Sequence, residues 1–98
     1  MSHAEMPERF PAGFRFDRYR IESEVVEGPM GRLYKAHDTN LNETIGLYVL
    51  SPGLRHPGGV QEFRIWFRHA FYKWRGRFYD YGECVGVPFV AMEHPEGP

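Results

Sequence analysis

One stretch of this chain is patterned as a helix while its surroundings are patterned as sheet, and that contrast restricts the fold more than any other feature. In VQEFRIWFRHAFYKW (residues 60–74), Phe63, Trp66, Phe67, Ala70, Phe71 and Trp74 recur at the spacing of one helical stripe. Arg64, Arg68, His69, Lys73 and Arg75 fall on the other face. Gly76 stands where a helix commonly stops, just after basic residues that suit the negative end of the helix dipole. A lone amphipathic helix has nothing to bury its stripe against, so a sheet must supply the other half of the core.

That sheet is legible on both sides of the helix. Residues 16–26 are rich in Val, Ile, Tyr and Phe and alternate roughly as a strand does. EGPMG (27–31) is a turn in which Gly28 and Gly31 free the backbone. RLYKAHD (32–38) is a second strand, DTNLNET a polar turn, and TIGLYVL (44–50) a third, buried strand. SPGLRHPGG (51–59) breaks regular structure before the helix. After it, RFYDYGE and VPFVAME are two strands around the hairpin turn ECVG. Residues 1–15, with Pro7, Pro11 and Gly13, are expected to be an irregular N-terminal arm, and residues 16–98 one domain. The expected fold is α+β, a five-stranded antiparallel sheet with one helix.

Composition removes several functions. Ninety-eight residues suffice for one core. A net charge of −1 supplies no field for nucleic acid or membrane, and the basic helix face reads as a solvated face. No apolar run is long enough to cross a bilayer, and the N-terminus lacks the apolar core of a signal peptide. The single cysteine, Cys84, has no internal disulfide partner and fits a reducing, cytoplasmic setting. The histidines are scattered without metal-ligand spacing, so no metal is expected. Asp38 and Asp80 sit beside turns and strands and are given no catalytic role.

The order and spacing of these segments resemble the N-terminal lobe of a protein kinase of the bacterial serine/threonine type. DRYRIESEVVEGPMGRLYKAHDTNL resembles that family's first two strands and glycine-rich loop. IGLYVLSPGL resembles the third strand, FRIWFRHAFYKW the lobe's helix, and FYDYGECVGVPFVAMEHPEG the last two strands and hinge. The resemblance implies a kinase N-lobe-like fold over roughly residues 16–97.

Set in the family's G-x-G-x-x-G-x-V register, the loop reads Val26, Gly28 and Gly31, followed by Leu33. Val26 replaces the first glycine, and Pro29 stiffens the tip and removes an N–H donor. The strand lysine that would hold the nucleotide phosphates falls at Tyr48, a group uncharged at neutral pH. The helix offers only Glu62, at its very start, as a partner acid. The catalytic residues of the family's C-lobe are not found in these 98 residues.

The resemblance therefore implies a degenerate, non-catalytic lobe, a pseudokinase fragment with no cofactor and weak or absent ATP binding. It would act as an interaction or regulatory module through a protein partner or as a homodimer. Phe63, Trp66, Phe67, Phe71 and Trp74 are the candidate interaction surface, against the simpler reading that most of them are core. Lys35 is the candidate surrogate cation, with Arg32 behind it, against the reading of an ordinary solvent-facing lysine. Tyr48 either stacks on a base or fills the space of the missing lysine. The alternative function is the nucleotide-binding half of a split kinase completed by a separate C-lobe.

Overall fold

The computed structural model describes residues 6–73 and 78–94. The expected helix stop at Gly76 and the candidate residue Trp74 lie outside the described residues. The strands are β1 (Arg15–Phe16), β2 (Tyr19–Glu27), β3 (Gly31–Asp38), β4 (Glu43–Leu50), β5 (Phe78–Cys84) and β6 (Val87–Met92), with α1 (Pro57–Lys73) between β4 and β5. They form one antiparallel six-stranded sheet in the order β1-β2-β3-β4-β6-β5.

The strand beyond the five expected comes from a break the sequence disguises. Residues 16–26 look continuous, yet Asp17 takes φ 55°, a left-handed conformation that Asp tolerates better than most residues. The chain reverses there, and Phe16 pairs with Tyr19 across a two-residue turn. At the other edge, β6 runs back between β4 and β5, pairing Tyr48 with Val90 on one side and Tyr81 with Val90 on the other.

The helix begins at Pro57, before the apolar stripe starts. Proline suits a first helical position because it has no N–H to leave unpaired. His56 Nδ1 accepts the Gly59 N–H at 3.2 Å and so caps that first turn. A side chain at Gly59 would run into the carbonyl of Leu54, so the short Pro52–Leu54 3₁₀ turn and the helix start can meet only at a glycine.

Alternation along the strands divides the core between the two faces of the sheet. On one face Tyr48, Leu50, Leu33 and Val90 pack with Phe63 of α1. On the other, Tyr19, Ile21, Tyr34, Ala36, Ile45, Leu47, Val49 and Phe89 are covered by Met6, Phe10 and Phe16. Residues 7–14 carry no strand or helix, but Phe10 stacks on Phe14 (4.7 Å) and Tyr34 (5.2 Å), and its N–H donates to the Tyr34 hydroxyl at 3.1 Å. The arm thus does for one face of the sheet what α1 does for the other. Each face needs such a cover because a sheet with two apolar faces cannot leave either in water.

Candidate functional site

The turn between β2 and β3 (residues 28–30) is shaped mainly by the strand behind it. Gly28 N–H donates to the Gly31 carbonyl at 2.8 Å, and Ser51 N–H donates to the Met30 carbonyl at 2.9 Å. Gly31 lies so close to the carbonyl of Val49 that a Cβ there would collide with backbone. This glycine is required by the approach of β3 to β4, whether or not a ligand ever lies over the loop. Val26 is exposed, and Pro29 leaves the turn tip without one of its donors.

Tyr48 is the centre of the site. It pairs with Leu33 across β3–β4, is only 8% exposed, and points to the α1 face. Its ring lies 5.0 Å from Trp66 and 5.8 Å from Phe63, and those two rings stack on each other at 5.5 Å. Its hydroxyl accepts the Met30 N–H at 3.2 Å and lies over Gly28. Burial raises the phenol's pKa, and the backbone N–H groups of Met30 and Gly31 oppose that rise less strongly. The group is therefore neutral at physiological pH. Next to it on the same face, Gly46 is crowded by the side chains of Leu33 and Met92.

The candidate cations are committed elsewhere. Lys35 shares the Leu33 face by register, opposite Gly46, but its Nζ lies 3.7 Å from Glu22 at the partly exposed edge. Arg32 alternates onto the other face, with Tyr34 and Ala36. There it donates to the Glu8 carbonyl at 2.8 Å and lies within 3.4 Å of Glu27 and 3.7 Å of Glu24, tying the arm to the sheet. Arg32 is thereby removed as a surrogate for the lysine. Glu62 is exposed in the second turn of α1 and makes no ion pair among the described residues, while Phe63 and Trp66 occupy the space facing Tyr48.

The aromatic stripe divides by depth. Phe63 is fully buried, which corrects its inclusion in an interaction surface: it is core. Trp66 and Phe67 are half-buried, and Phe71 is 45% exposed. The sequence reading missed Phe78, Tyr81 and Tyr72. Phe67 packs on Phe78 at 5.3 Å and on Tyr81 at 5.2 Å, and Tyr72 is 70% exposed. Phe78 and Tyr81 are an odd number of residues apart, so simple alternation separates them. An irregularity in the β5–β6 register between Phe78 and Asp80 restores them to one face.

The remaining candidates are structural. Asp38 is buried and accepts from Arg18 Nε (3.2 Å), Asn40 N–H (2.9 Å) and Leu41 N–H (3.1 Å), which fixes the β3–β4 turn. Cys84 is half-buried, and burial pushes its thiol pKa up, away from the reactive thiolate. Among the described residues, no cluster of three or more His, Cys, Asp or Glu could hold a metal ion, and no helix is long and apolar enough to cross a membrane.

No protein-family model matches the chain. In sequence it is 30% identical over 99 aligned positions to a probable serine/threonine-protein kinase, pknA2, of Bifidobacterium longum, covering 94% of this chain and 13% of that protein. In structure it superimposes on the apo form of PpkA-294 with a TM-score of 0.71 at 19% identity, over 89% of this chain and 39% of that one. The kinase domain of Mycobacterium tuberculosis PknI aligns with a TM-score of 0.64 at 24% identity, over 88% of this chain and 36% of that one. The chain thus spans about an eighth of the sequence relative and well under half of each of these two solved chains. With its curled antiparallel sheet and, among the described residues, one α-helix, it has the fold of the amino-terminal lobe of a bacterial-type serine/threonine protein kinase.

Proposed function

We propose that this chain is a non-catalytic kinase-like lobe that works by contact with other protein chains, as a regulatory module. The observation that carries this reading is Tyr48. A nucleotide's phosphates need a cation and free backbone N–H donors. Here a neutral phenol stands at the cation's position, and its own hydroxyl takes the Met30 N–H that a phosphate would use. The ring is wedged against Phe63 and Trp66, so no acid is positioned there to hold a lysine. Leu33 and Met92 crowd the adjacent face at Gly46, which leaves little room for a base. Exposed rings at Phe71 and Tyr72 support protein contact, with a second copy of the chain or with another protein. The lone thiol and the absence of a membrane-spanning helix among the described residues fit a cytoplasmic setting.

The test is a titration of the purified chain with ATP, with and without magnesium, read by calorimetry and thermal shift. No response up to millimolar nucleotide is expected. The competing reading, the nucleotide-binding half of a split kinase, needs Lys35 to leave Glu22 and turn toward the phosphates. It predicts magnesium-dependent binding that is lost in Lys35→Glu, and that result would overturn the non-catalytic assignment.

A further inference from the structure

Between the C-terminal half of α1 and β5 runs a groove of about 390 Å³, lined by Arg64, Phe67, Arg68, Phe71, Tyr72 and Tyr81. None of these residues belongs to the Tyr48 site. The floor is aromatic, with Phe67 lying 5.2 Å from Tyr81 and 5.9 Å from Phe71. The outer rings of Phe71 and Tyr72 face solvent. The two arginines differ in what they do. Arg64 is used within the chain: it donates to Glu83 at 2.8 Å and to the Tyr81 hydroxyl at 3.3 Å, holding the β5 wall in place. Arg68, one turn further on, is exposed and forms no ion pair among the described residues. No acid follows Glu62 in α1, and with Arg64 paired to Glu83 the uncompensated positive charge on the groove's rim, among the described residues, is that of Arg68.

We propose that this groove docks an acidic segment of a partner protein. A large apolar side chain enters among Phe67, Phe71 and Tyr81, and a neighbouring carboxylate pairs with Arg68. The volume lies near the small end of ligand-sized sites, which suits a side chain or two of an inserted segment. An arginine guanidinium matches a carboxylate in shape as well as in charge. A second copy of this chain is a poorer occupant. Two-fold pairing through this groove would bring the Arg68 side chains of both copies into one interface, and like charges across an interface are costly. The chain's own exposed acidic stretch, on β2, is already tied down: Glu22 lies beside Lys35, and Glu24 and Glu27 beside Arg32. Two register irregularities also twist that edge away from strand pairing.

This inference deepens the reading of the chain as an interaction module and rests on it. The test uses the full chain and two fluorescent probes, a short peptide alternating glutamate with leucine and its lysine–leucine counterpart, followed by anisotropy. The acidic probe is expected to bind with an affinity that falls as salt rises, and the basic probe is not. Arg68→Glu is expected to weaken binding by about tenfold or more, and Tyr72→Ala is expected to weaken it as well. Both side chains are exposed, so circular dichroism melts should match the parent. Failure of the acidic probe, equal binding of the basic one, or indifference to Arg68→Glu in a folded variant would each overturn the proposal. So would sedimentation showing a dimer of the free chain that Tyr72→Ala dissociates, because the groove would then belong to a second copy. Magnesium-dependent ATP binding would defeat the non-catalytic reading and leave these outcomes untouched.

Discussion

Replacing Tyr48 with phenylalanine deletes a single oxygen and keeps the ring, so it isolates the contact that closes the glycine turn. In the native chain that oxygen accepts the Met30 N–H at 3.2 Å in a partly buried setting. A neutral hydrogen bond of this kind contributes about 1 kcal/mol net. In a domain of this size such a loss lowers the melting temperature by roughly 4–8 °C. Tyr48→Ala also removes the ring from between Phe63 and Trp66 and leaves a cavity, which costs about 3–5 kcal/mol by analogy with aromatic truncations elsewhere. That is a large share of a small domain's total stability of about 5–15 kcal/mol. The assay is thermal and urea unfolding followed by circular dichroism, with amide hydrogen exchange at Met30 read by NMR. Tyr48→Phe should speed Met30 exchange while the amides of β3 and β4 keep their protection. Unchanged Met30 exchange together with an unchanged melt would refute the argument that the hydroxyl latches the turn. Tyr48→Lys should not create nucleotide binding, because Phe63 and Trp66, and no carboxylate, face the new ammonium. It should instead destabilise the fold, since a buried cation without a partner is costly.

Phe10→Ala should cost about 3–5 kcal/mol, as much as a core truncation within the sheet, because the ring stacks on Phe14 and Tyr34 and packs at a tilt against Phe16; urea unfolding measures this, and a negligible change would mean the arm is not part of the core. Val85 holds φ 52° in the β5–β6 turn, a region unfavourable to a β-branched residue. Val85→Asn should therefore stabilise the protein by about 1 kcal/mol, seen as a higher melting temperature. Tyr19 is fully buried, and burial pushes its phenol from 10 up to about 12. A raised acid is protonated more readily in the folded state than in the unfolded chain. Stability is thus complete below pH 10 and declines between about pH 10 and 12, at up to about 1.4 kcal/mol per pH unit. Denaturation at stepped alkaline pH, alongside ultraviolet phenolate absorbance, checks this, and Tyr19→Phe should flatten the dependence.

The elements that reported themselves in the sequence are those governed by local pattern. The apolar stripe from Phe63 to Phe71 marked α1, the alternating run marked β3, the continuous apolar run marked β4, and Gly28 with Gly31 marked the turn between β2 and β3. Less visible were features set by a single backbone dihedral or by a contact distant in sequence. Asp17 splits what reads as one strand into β1 and β2, and only its positive φ shows where. The register irregularity in β5 moves Tyr81 onto the α1 face, against the period of two that a strand implies. The arm reads as irregular, and its backbone is; the burial of Met6 and Phe10 depends on an apolar sheet face formed by residues far along the chain.

The candidate site divides in the same way. That position 48 carries a phenol and no cation, and that proline removes a donor from the loop, is chemistry written in residue identity and needs no coordinates. Where the Tyr48 hydroxyl goes, which of Lys35 and Arg32 shares its face, and which aromatics are core or surface were decided by packing. Phe63 and Phe71 are the same residue type on the same stripe, yet one is sealed under the sheet and the other lies at its rim. A helical stripe specifies a direction from the helix axis. How far the sheet extends beneath it depends on strand lengths and on the curl of the sheet, and those exist only once the strands have paired.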